Sequence, residues 1–147
     1  MIAKDIARTA SVKWEGDVAK GHGCIVTGSG KVSASYSFGT RFSGDPGTNP
    51  EELLGASHAA CFTMALSGAL TRAGHAPTSI ETTATVHLQA SGASAEISEI
   101  ELVTTAVVAA LSEAEFAALA ADAKSTCPIS KALASVPISL QAALKPS

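Results

Sequence analysis

Charge is scarce in this chain. Only 16% of its 147 residues are charged and the formal net charge is −3. That leaves no basic footprint of the kind that holds nucleic acid or an anionic membrane surface. Cysteine is scarce too. Cys24, Cys61 and Cys127 make an odd set at scattered spacing, which excludes the disulfide framework of a small secreted scaffold. The start, Met1-Ile2-Ala3-Lys4-Asp5, lacks the apolar stretch of a signal peptide. No internal repeat, low-complexity segment or linker breaks the chain, so residues 1–147 are expected to form one domain, long enough to bury a core. The expected setting is cytoplasmic, where a lasting structural disulfide is unusual and a transient catalytic one is not.

The absence of charge is complete in one run. Between Leu53 and Leu70 there is no formally charged side chain, and Ala, Gly and Ser fall on every face. The run is framed as a helix. Asn49 suits the N-cap, Pro50 the first helical position, and Glu51 and Glu52 the positive end of the dipole. Arg72, Gly74 and Pro77 mark the stop. About 24 helical residues span roughly 36 Å at the usual rise. A helix apolar all round is read as buried, and the interruptions by Ser, His and Gly argue for a core helix rather than a membrane span. Its interior nevertheless carries His58 and Cys61.

Around this helix the chain reads as strands. Residues 6–15, Cys24 to Thr27 and Val32 to Phe38 predict an antiparallel meander, followed by a long loop from Gly39 to Thr48 that holds Arg41. After the helix, Ile80, Thr82, Ala84, Val86 and Leu88 alternate with polar residues, as in a strand with one wet face. Ile97 to Val108 makes another, its phase slipping near Ser98 and Glu99 as at a bulge. Ser112 with Glu115 forms a capping box for a helix ending near Lys124. Cys127-Pro128 opens a short helix to Leu133, and Val136 to Leu144 is a closing strand. Segregated runs of strands and helices predict an α+β fold, with antiparallel strands around the long buried central helix.

Cys61 alone in an Ala-rich helix is by default a small hydrophobe. Three neighbours in the sequence change its meaning. Cys127 stands directly before Pro128, at the donor end of a helix, where a thiolate is stabilised. Arg41, in the loop upstream, is a permanent cation able to stabilise a thiolate. Glu51 could hold that guanidinium in a fixed fork. Together these residues are a kit for thiol redox chemistry. The spacing His58-x-x-Cys61 could instead offer two metal ligands with Cys127 as a third, but a tetrahedral set lacks its fourth member; the expectation is no metal, with His58 bordering the site. Cys24, on a strand, is expected only to pack, and His22, His75 and His87 carry no assigned role.

Gly47-Thr48-Asn49-Pro50-Glu51-Glu52-Leu53-Leu54-Gly55-Ala56, with His58-Ala59-Ala60-Cys61-Phe62, resembles the signature of the OsmC/Ohr family, the osmotically inducible protein C and organic hydroperoxide resistance proteins. Thr126 to Leu133 is similar to the family's second cysteine motif, and Trp14-Glu15-Gly16-Asp17 to its N-terminal one. Thr40-Arg41-Phe42 resembles the OsmC branch; the Ohr branch takes its arginine from near the first strand, where this chain has Glu15-Gly16-Asp17. The resemblance implies an OsmC-like fold and an intertwined homodimer. It also implies a thiol peroxidase that reduces organic hydroperoxides in stress defence, with no cofactor and a lipoyl-type dithiol as reductant. By position it makes Cys61 the peroxidatic cysteine, Cys127 the resolving one, and Arg41 with Glu51 the activating pair. Phe42, Phe62, Met64 and Leu66 are candidates for an apolar wall against the alkyl group, or simply core; His58 borders the same space.

Helix geometry adds one expectation. Glu51 and Cys61 lie ten residues apart, about 15 Å along the axis. An Arg–carboxylate pair set against the sulfur does not easily span that distance within one chain. Two antiparallel copies of the helix would bring Glu51 of one beside Cys61 of the other, so inter-subunit active sites are expected. The rival from another class is a non-catalytic dimer that holds an apolar ligand. No nucleic acid or membrane partner is expected.

Overall fold

A computed structural model describes residues 2–146, and the chain resolves into two units, Met1–Pro50 and Glu51–Ser147. The first unit is the expected meander. Strands β1 (Ala10–Glu15), β2 (His22–Thr27) and β3 (Ser33–Tyr36) form an antiparallel sheet in that order. Trp14 and Tyr36 meet at a ring-centroid distance of 5.3 Å. Gly23 lies between them, and a Cβ there would collide with both rings. β3 stops earlier than its alternation predicts because Ser37 turns the chain into α1 (Phe38–Phe42). The side chain of Ser37 accepts from the Thr40 amide, and the Ser37 amide donates to the Thr40 hydroxyl. Part of the long loop is therefore a capped helical turn that carries Arg41.

The second unit is organised on α2 (Pro50–Arg72). The helix stops as expected. Gly74 takes φ +86°, its amide bonds the Thr71 carbonyl, and the His75 amide reaches back to the Leu70 carbonyl. This paired closure uses the left-handed conformation that Gly adopts at no steric cost. β4 (Ser79–Ser91) and β5 (Ser94–Val107) pair antiparallel over their whole length. His87 faces Glu99 and Leu88 faces Ile97, so Ser98 is the extra residue of a bulge. β6 (Ile138–Leu144) departs from the antiparallel expectation and lies parallel to β5. The reason is the crossover: α3 (Glu113–Thr126) and α4 (Pro128–Ala132) carry the chain back to the end where β5 began. The Ser112–Glu115 capping box opens α3.

Phe62, Leu66 and Leu70 from α2 join Ile100, Leu102 and Ala106 from β5 and Phe116, Ala120 and Ala123 from α3 in one buried core. Gly55 lets α2 approach β4, where an added Cβ would touch the Ala84 carbonyl at 3.4 Å. By length and composition α2 could cross a membrane; here its buried face covers a sheet, as a core helix does. Burial is one-sided within the chain. Gly55, His58, Phe62, Leu66, Ala69 and Leu70 are buried, whereas Ala56, Ser57, Ala60 and Met64 are exposed. Within the second unit the sheet covers one face of α2.

Candidate active site

The second unit brings three of the expected residues together. Cys61 projects from α2 and is half-buried. Cys127 is fully buried at the junction of two helices, closing α3 through its amide to the Ala123 carbonyl and standing as N-cap of α4. The two thiols lie within hydrogen-bonding reach of each other. This arrangement follows from the local sequence. Pro128 forces the break after Cys127 and starts the next turn, so the Cys127 side chain stands at the N-terminal end of α4.

The pair shares its charge unequally. Burial pushes the Cys61 thiol up, and its donation to Cys127 adds to that; the Ile129 amide pulls the other way. Burial also raises the Cys127 thiol, but hydrogen bonds from Cys61, from the Ser130 amide and hydroxyl and from the Ile129 amide outweigh it and bring it below the ordinary value. Of the two thiols, the buried one is thus held below its ordinary value and the more accessible one above it.

His58, one turn before Cys61, is completely buried, with Nε2 2.8 Å from the Ser130 hydroxyl. Its Nδ1 has no hydrogen-bond partner among the described residues. Burial lowers its pKa, so the ring is neutral. Ser130 thus links His58 to Cys127. Sequence reasoning missed Ser130; the signal was its place three residues after Cys127, on the first turn of α4.

The other expected residues stand elsewhere. Phe62 is fully buried in the core beside Leu66 and Leu70. Met64, by contrast, is 78% exposed. It lines an open groove of about 530 Å³ with Ala59, Ala60, Thr63, Ile80 and Thr82. Glu51 occupies the first turn of α2, about 15 Å of helix rise from Cys61. Arg41 and Phe42 belong to the first unit. There the guanidinium carbon lies 5.2 Å from the Phe42 ring centre, and both residues line a pocket of about 240 Å³ with Trp14, Tyr36 and Phe38. Cys24 is exposed on β2 rather than packed, its sulfur 4.0 Å from the Ser33 hydroxyl. A separate cluster of His87, Glu99 and Glu101 flanks the bulge of the second sheet; His87 Nε2 lies 3.1 Å from a Glu101 carboxylate oxygen across the strands.

A buried and a half-buried cysteine in contact, one on a long central helix and the other at a helix junction, define a dithiol centre on an α+β scaffold. The OsmC-like protein family model matches residues 42–141, and the chain belongs to the OsmC family. It is 45% identical over 129 residues to Peroxiredoxin OsmC of Escherichia coli, covering 87% of this chain and 90% of that protein. Among solved structures, OhrB of Bacillus subtilis, an organic hydroperoxide resistance protein, is 27% identical with a TM-score of 0.69, over 93% of this chain and 98% of that one. An organic hydroperoxide resistance protein OsmC of Legionella pneumophila shares the fold at 22% identity and a TM-score of 0.69, covering 97% and 100%. This kinship supports an enzyme of peroxidase type.

Proposed function

We propose that the chain is a cysteine-based organic hydroperoxide reductase, and the observation that carries the proposal is the contact between half-buried Cys61 and buried Cys127. The Cys61 thiolate attacks a peroxide oxygen, an alcohol leaves, and a sulfenic acid remains. Cys127 then displaces hydroxide from that sulfenic acid to form a disulfide, and a dithiol of lipoyl type returns both thiols. Cys61 is the sulfur a substrate meets first, because Cys127 has no exposed surface. The hydrogen bond between them gives Cys61 a route to its thiolate, since its proton can pass to the Cys127 sulfur. Arg41 then holds the charge on Cys61, a cation offsetting the desolvation of a thiolate, and Glu51 fixes the guanidinium. Phe42 borders the alkyl group in this reading; Phe62 and His58, expected beside it, are fully buried. Residues 1–147 work as one OsmC-like domain in the cytoplasm, without metal.

The second half of the proposal is a homodimer. The outer face of α2 presents Ala56, Ala60 and Met64 to solvent, small and apolar residues that permit close approach of a second copy. An antiparallel copy would set its own Glu51 against Cys61. Peroxide consumption with dihydrolipoamide should fall to background in Cys61→Ser; equal rates for the two proteins would leave a non-catalytic binding dimer instead. Arg41→Met should slow the peroxide step and raise the pH at which Cys61 reacts, and Arg41→Lys should recover only part, because the planar fork is lost. Mixing inactive Cys61→Ser with inactive Glu51→Ala, under conditions that exchange subunits, should restore activity. Proven exchange without recovery would place each site inside one chain.

A further inference from the structure

Ser130 and His58 stand in series behind Cys127. Ser130 lies on the first turn of α4, three residues after its N-cap Cys127 and within reach of that sulfur, and its hydroxyl oxygen lies 2.8 Å from His58 Nε2. With the hydroxyl proton turned to the sulfur, the oxygen accepts at the histidine, Nε2 carries the ring proton and Nδ1 the lone pair. That lone pair is buried without a hydrogen-bond partner among the described residues, an arrangement that costs free energy. Packing alone does not call for it, because a buried apolar side chain would fill the same space without an orphaned acceptor.

We propose that His58 and Ser130 form a donor chain that selects which sulfur leaves when the Cys61–Cys127 disulfide is reduced, a step that rests on the proposed peroxidase cycle. The reductant thiolate attacks the more accessible Cys61 sulfur. A bond forms between the reductant sulfur and Cys61, the Cys61–Cys127 bond breaks, and its electron pair leaves on Cys127. Ser130 donates its hydrogen bond to that anion, while His58 Nε2–H holds the hydroxyl in the donating orientation. The second thiolate of the dithiol then attacks the mixed disulfide, Cys61 leaves, and the oxidised dithiol departs. A better-stabilised leaving thiolate leaves faster. The chain thus gives the exchange a direction: reductant on Cys61, charge on Cys127. Ser130 touches a reacting atom; His58 is a positioning residue that acts through it.

The test starts from protein whose disulfide is made with diamide, so that it does not depend on peroxide. Reduction by dithiothreitol is followed in a single turnover. In parallel, a short pulse of 2-mercaptoethanol is quenched in acid and the mixed disulfide is mapped by mass spectrometry. Wild type should carry the adduct on Cys61. Ser130→Ala should reduce about tenfold more slowly, the worth of one hydrogen bond to a charged group, with part of the adduct appearing on Cys127. Ser130→Thr should restore rate and position. His58→Leu should share the defect, whereas His58→Gln, which keeps a donor near the Nε2 position, should regain most of the rate; loss of packing alone predicts no such rescue. Adduct on Cys127 in wild type, or Ser130→Ala reduced at the wild-type rate, overturns the proposal. If diamide-made protein behaves as expected but organic peroxide never yields the disulfide, the peroxidase cycle fails and the donor chain stands. If neither oxidant links Cys61 to Cys127, both are overturned.

Discussion

The two faces of α2 are built from similar residues and have opposite environments. One face places Phe62, Leu66 and Leu70 in the core with no exposed surface. The other shows Ala56, Ala60 and a largely exposed Met64 to solvent. Charge does not separate them, since neither bears a formal charge between Leu53 and Leu70. A helix with polar residues on its outer face would be finished as a surface helix; this one is covered once and remains apolar where it is not covered. Within the second unit the sheet covers one of the two faces, and half-buried Cys61 belongs to the same helix.

The contrast is broken most severely at Phe62. Phe62→Ala should cost about 3–5 kcal/mol of unfolding free energy, the usual range for emptying a filled aromatic site. Met64→Ala, two residues on, should change the stability of the isolated chain by less than about 0.5 kcal/mol, as exposed substitutions do. Urea melts at low protein concentration measure both. Met64→Ala should instead show itself in association, as a weaker dimer by analytical ultracentrifugation. Equal effects of the two substitutions on the chain's own stability would mean that the faces are not distinct.

Much of this was legible from residues alone. The stop of α2 at Gly74, the capping box at Ser112 and the bulge at Ser98 are local features, and local hydrogen bonds and alternation decide them. α1 was not legible, because its capping partner is Thr40 rather than the Glu or Gln that marks a capping box in sequence. The parallel pairing of β6 depends on a crossover of two helices, which no strand pattern contains. At the site, Cys61 and Cys127 stand out as residue types, and the motif resemblance joined them. The contact of His58 with Ser130, 72 residues away in the chain, could not be seen until α4 was laid against α2. One-sided burial of α2 was hidden for a related reason: small apolar residues look the same whether they face a sheet or nothing.

A milder way to sharpen the comparison uses acid. Burial holds His58 below its ordinary value of 6.5, so below that value the unfolded chain binds more protons than the folded one. Stability therefore rises with pH through this window. The contribution of a neutral His58 is present above the unfolded value and is lost as pH falls toward the folded one. Urea melts from pH 7.5 down to pH 5 should show that loss in wild type. His58→Gln should flatten this part of the profile, because glutamine does not titrate. An unchanged slope in the variant would assign the acid sensitivity to other groups.

The smallest effects are expected along a line of hydroxyls at the boundary of the two faces. Thr63 of α2 donates to Thr82 of β4 at 2.7 Å, and Thr82 lies 3.0 Å from Thr104 of β5. Thr104 in turn donates to the Glu81 carbonyl at 3.2 Å. Read in that direction, each hydroxyl has one proton to give and a partner that accepts it. Thr63 is half-buried at the start of the line, while Thr104 is buried beneath the sheet. Removing the hydroxyl of Thr63 leaves no buried proton without an acceptor, because Thr82 still donates to Thr104. Removing that of Thr104 strands the Thr82 proton and takes a donor from the Glu81 carbonyl. Thr63→Val should therefore cost no more than about 1 kcal/mol, and Thr104→Val about 1–3 kcal/mol, the difference between a lost bond and an orphaned polar group. The double variant Thr82→Val with Thr104→Val should cost less than the sum of the singles, since the stranded proton disappears with its owner. Additive costs would mean that the three hydroxyls act independently and that the line is only a coincidence of packing.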